Sequence, residues 1–116
     1  MSSNVQISGN IVRSGAGELD LISDFNNRSD ITNFTDQIIT IPADSLHEVC
    51  GMTNGVTFIA LLVEEGHVDL AIIIDSIITV INTSKVLVLT GINADSVQVR
   101  NPSESASAKV RIIAGG

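Results

Sequence analysis

The sequence predicts an all-β protein, and three observations carry that prediction. Its 116 residues include 17 Ile and 12 Val against 8 Leu. β-Branched side chains lose rotamer freedom in helices and fit a pleated, half-buried surface. Apolar and polar residues alternate over short runs, as in "SVQVRN" (96–101) and "AKVRII" (108–113), which is the period of a strand with one wet face. Turn-forming residues interrupt the runs at a spacing of roughly 8 to 12 residues, which predicts a β-sandwich or jelly-roll-like barrel of about eight or nine short, mainly antiparallel strands.

No composition break or low-complexity block divides the chain, so residues 1–116 are read as a single β domain with one modest core. "VQISGNIV" (5–12) reads as a strand bent at Gly9, with residues 1–8 as an N-terminal arm or edge strand. "GELDLISDF" (17–25) sets Leu19 and Leu21 on one face and Asp20 on the other, and "DFNNRSDITNF" (24–34) reads as a polar loop. "QIITIP" (37–42) is a strand ended by Pro42, and "ADSLHEVCGM" (43–52) fits a helical turn or a short strand equally. "TNG" (53–55) is a turn signal because Asn and Gly tolerate positive φ. The strands that follow are "VTFIALLVEE" (56–65), "HVDLAIII" (67–74), "IITVI" (77–81), "KVLVLTG" (85–91) and the two alternating runs already quoted.

The segment "LAIIIDSIITVINTSKVLVL", Leu70 to Leu89, holds thirteen apolar residues in twenty. A membrane-spanning helix needs about 20 consecutive apolar residues, and Asp75, Asn82 and Lys85 interrupt this stretch. Its Ile and Val content favours strands over a buried helix, with turns at Asp75-Ser76 and at Asn82 to Lys85. Runs such as "AIII" and "VLVL" are apolar on both faces, whereas a strand of a lone sandwich shows one face to water. A second cover is therefore expected, from this chain's loops or from another subunit. Ile72, Ile74 and Ile77 are the residues expected at such an interface, the other reading being ordinary core.

Composition excludes several function classes. Thirteen acidic and six basic residues give a net charge of -7, which repels a phosphate backbone, and there is no Trp or Tyr on which bases could stack. The same lack weakens any case for sugar recognition by ring stacking. Neither a nucleic-acid nor a membrane partner is expected. The single cysteine, Cys50, cannot form an intrachain disulfide, and "MSSNVQISGN" has neither a basic nor an apolar segment. Synthesis in a reducing cytoplasm without a signal peptide is expected. "NRS" (27–29), "NFT" (33–35) and "NTS" (82–84) match the glycosylation pattern but read as turn and strand residues in that setting.

The candidate chemistry fails on its own requirements. "DFNNRSDITNFT" offers oxygen ligands at Asp24, Asn26 and Asp30, but a calcium loop needs Gly and Glu where this chain has Ser29 and Thr35, and Arg28 brings a cation. His47 and Cys50 have a spacing that soft metals use, and His67 could add a third ligand, but a structural zinc site needs four. Ser45, His47 and Glu48 lie close in sequence, whereas a nucleophile, base and orienter must converge in space. Glu64 and Glu65 precede Gly66 in a turn, where carboxylates stay solvated. "ITIPADSLHEV" (39–49) resembles the later motif of the cupins, in which a His places a metal inside a barrel. No His precedes residue 39 to supply the cupins' earlier motif. No catalytic residue, cofactor or metal ligand is assigned, and an enzyme is not expected.

Four runs carry a broader likeness: Phe58 to Val63, Val86 to Gly91, Ser96 to Ser103 and Ala108 to Ile113. Together, a strand with an acidic turn, an "LxLxG"-like strand, a strand ending in "NPS" and a closing "AxVRII" strand resemble small all-β virion proteins of tailed bacteriophages. The resemblance covers roughly the second half of the chain, and the first 55 residues carry none of its motifs. It implies a non-enzymatic virion structural protein, foremost a capsid decoration or cement subunit that bridges neighbouring capsomers. The alternatives are a tail, collar or head-fibre accessory protein and, from another class, a small-molecule or metal-binding β-barrel around His47. The implied partners are further copies of the chain and a major capsid protein or other virion protein, and the implied location is the virion.

Overall fold

A computed structural model describes residues 3–15, 18–49 and 55–116, with residues 3–5, 10–15 and 18–30 described as backbone. The protein is all-β, and ten strands and no helix are present among the described residues. It divides into two compact units, Met1–Ile31 and Thr32–Gly116.

The first unit is an antiparallel hairpin of β1 (Ser3–Gly15) and β2 (Glu18–Ile31). β2 corrects the expectation of a polar loop from residue 24, because Asp24 to Ile31 stay paired with Asn10 back to Ser3. A long β1 supplies a backbone partner for every one of these residues, so polar composition does not end the strand. The ladder runs through Gly9 opposite Phe25, and the irregularity falls between Ile11 and Val12 instead of at Gly9.

The second unit is a sandwich of eight strands: β3 (Phe34–Ile41), β4 (Leu46–Glu48), β5 (Val56–Glu65), β6 (Val68–Ile74), β7 (Ile77–Thr83), β8 (Val86–Ala94), β9 (Ser96–Arg100) and β10 (Ala108–Gly115). One sheet has the order β3-β10-β5-β8 and the other β4-β9-β6-β7, with every pairing antiparallel. The pairs β3–β10, β4–β9, β5–β8 and β6–β7 nest inside one another, as in one long hairpin whose tip is the Asp75-Ser76 turn. Rolling that hairpin up adds the pairs β10–β5 and β9–β6 and produces a jelly roll. The undecided segment after Pro42 is thus the short strand β4. The second turn of the Leu70–Leu89 segment shrinks to Ser84 and Lys85, because β7 continues through Thr83.

Alternation builds the core. Ile39 and Ile41, Ile59 and Leu61, Leu87 and Leu89, and Val110 and Ile112 face inward from one sheet. Leu70, Ile72, Val97, Val99 and Ile81 meet them from the other. At Gly55 the chain enters β5 with φ at 79°, and a Cβ there would collide with the Ala94 carbonyl oxygen. Only glycine meets both conditions.

One polar side chain, Asn101, is fully buried among the described residues. Its Nδ2 donates to the carbonyls of Ile41 (3.0 Å) and Ala106 (2.8 Å), and its Oδ1 accepts from the Ser103 amide at 3.0 Å. Its own amide donates to the Ser45 carbonyl at 2.8 Å, and the Asp44 amide to the Ser103 carbonyl at 2.8 Å. Ser103 Oγ then accepts from the amides of Ser105 and Ala106, closing the β9–β10 connection. Asn101→Ala leaves two carbonyls without a donor and lowers the unfolding free energy by about 3 kcal/mol. Urea denaturation checks this, and Asn101→Asp is at least as damaging because it sets a carboxylate against those carbonyls.

Candidate functional site

His47 lies on β4, opposite Val99, with its ring turned toward the space between the sheets. Thr35, Gln37, Val49, Ile112 and Glu48 complete a cleft of about 100 Å³ there. A pocket for a cofactor-sized molecule is about 300 Å³ or more. Of the residues expected to act with His47, Glu48 borders the same cleft and Ser45 does not. Ser45 Oγ donates to the Ala43 carbonyl at 3.3 Å, and the Glu48 carboxylate accepts from Gln98 Nε2 at 3.2 Å. His47 and Glu48 leave β4 on opposite faces, although both border the cleft. His67 is an exposed residue between β5 and β6, and Cys50 lies outside the described residues. No group of three His, Cys, Asp or Glu side chains that could hold a metal occurs among the described residues. Glu64 ion-pairs with Lys109 at 3.3 Å, on the surface. Asn82, the glycosylation-pattern residue of β7, donates from Nδ2 to Asp69 Oδ1 at 2.7 Å. Among the described residues no helix is long and apolar enough to cross a membrane.

The conspicuous surfaces are apolar. On the outer face of the β3-β10-β5-β8 sheet, register places Phe34, Gly115, Phe58 and Thr90 in one row, Asp36, Ile113, Ala60 and Val88 in the next, then Ile38, Arg111, Leu62 and Val86. Phe34, Ile38, Val86 and Val88 are exposed at 53, 57, 62 and 40%. Phe34 stacks on the buried Phe58 ring with centroids 6.4 Å apart. Two ion pairs make this face polar: Arg111 Nε and a terminal guanidinium nitrogen donate to the two Asp36 carboxylate oxygens at 2.9 and 2.7 Å, and Lys109, two residues before Arg111 on β10, pairs with Glu64. The exposed apolar side chains thus lie along both edge strands of this sheet, on either side of its charged middle.

A second apolar surface is the β6–β7 hairpin. Ile74, Ile77, Ile78 and Val80 are exposed, Ile77 most of all at 70%. Of the three isoleucines expected at an interface, Ile72 lies in the sandwich core at 6% exposure, whereas Ile74 and Ile77 stand on the surface. Sequence reading passed over Phe34 and Ile38. Their signal was present in "FTDQIITI", where apolar residues occupy both faces of a strand, as they do in "VLVL".

Fold and surfaces define a jelly-roll sandwich with apolar outer surfaces and a shallow cleft at His47. Compared with known protein families and with curated proteins, the chain matches none.

The Arg111 hydrogen bond, opposed by desolvation and aided by the guanidinium charge, holds the Asp36 carboxyl below its ordinary range. Asp36 correspondingly keeps the Arg111 guanidinium more firmly protonated. A folded pKa below the unfolded one contributes stability above the unfolded value, and this is lost as pH falls through the folded value. The urea midpoints of the protein and of Arg111→Ala therefore converge under acid and separate toward neutral pH. In the variant, carbon-detected NMR titration finds the Asp36 midpoint back in the ordinary carboxylate range.

Proposed function

We propose that this protein is a non-enzymatic structural subunit of a tailed-phage virion, a decoration or cement protein that bridges neighbouring capsomers. The observation that carries the reading is the exposed apolar outer face formed by Phe34, Ile38, Val86 and Val88. Such a face, apolar along its edge strands and carrying two internally neutralised ion pairs, suits an interface in which apolar contact is combined with paired charge. The resemblance of residues 58–63, 86–91, 96–103 and 108–113 to phage virion proteins supports the same reading. A net charge of -7 suits docking on a basic shell surface, where charge guides encounter and register while apolar contact supplies affinity. Burying this face between capsomers raises the free energy needed to separate them. Attachment to the shell from the host cytoplasm follows, with a capsid protein as the main partner.

Shells of the encoding phage that lack this protein provide the test. The purified chain co-sediments with them and raises the temperature at which they open. Val86→Lys combined with Val88→Lys weakens binding at least tenfold, about 1.4 kcal/mol. Failure to bind either shells or tails overturns the reading. Stoichiometric capture of a transition metal, abolished by His47→Ala, replaces it with the metal-binding alternative.

A further inference from the structure

We draw no further inference here: the strongest candidate, the open β7 edge of the β4-β9-β6-β7 sheet with its exposed Ile77, Ile78 and Val80, carries nothing because nothing in the structure shows what covers it.

Discussion

The jelly roll depends on a single buried amide. The chain passes between the two sheets at the β3–β4 connection and again at the β9–β10 connection, and Asn101 fastens these crossings together by bonding to Ile41, Ser103 and Ala106 while its amide holds Ser45. β9 and β10 are inner strands of different sheets, so the geometry of their connection sets how the two layers face each other. A buried polar side chain is tolerated only when its bonding capacity is met. Among the described residues no buried side-chain nitrogen or oxygen lacks a partner. Asn101 thus specifies one arrangement of the layers, where aliphatic contact alone would accept several.

Once the layers are fixed, period-two alternation divides every strand between the core and the outside. The inner rows fill with Ile, Val and Leu, and the outer rows should be polar in a protein that meets only water. They are polar in part. Asp69, Gln98, Glu48 and Arg100 occupy the outer face of the β4 side of one sheet, joined by the Glu48–Gln98 and Asp44–Arg100 contacts. The outer face of the other sheet and the β6–β7 hairpin keep apolar rows instead. The excess of β-branched residues noted in the sequence is therefore concentrated where a second layer could be added.

Much of this was legible beforehand. Strand β5 coincides with "VTFIALLVEE" because Gly55 and Gly66, both at positive φ, bracket it with turn chemistry that depends on local residues alone. The Asp75-Ser76 turn is legible for the same reason. What local chemistry does not encode is the identity of a strand's partner. Asp24 to Ile31 looks like a loop by composition and becomes strand because β1 is long enough to pair with it. Ile72 and Ile74 share a face by alternation, and Ile74 is at the surface because β9 ends opposite Ile73, an overhang that local sequence does not encode. Asn101 stood inside the quoted "NPS" run without a role, since its partners lie up to 60 residues away.

The two apolar surfaces differ in what they could join. An open edge is indiscriminate, since backbone groups accept any strand, and an unprotected one normally leads to runaway association. Three of the four sandwich edges are protected, β4 by its three-residue length, β3 by the ion-paired Asp36 and β8 by its break from β5 near Gly91. The net charge of -7 opposes the stacking of copies along the fourth, β7. The outer face containing Val86 and Val88 offers side chains instead of open backbone groups, so what it accepts depends on shape and apolar area and not on the mere presence of a strand.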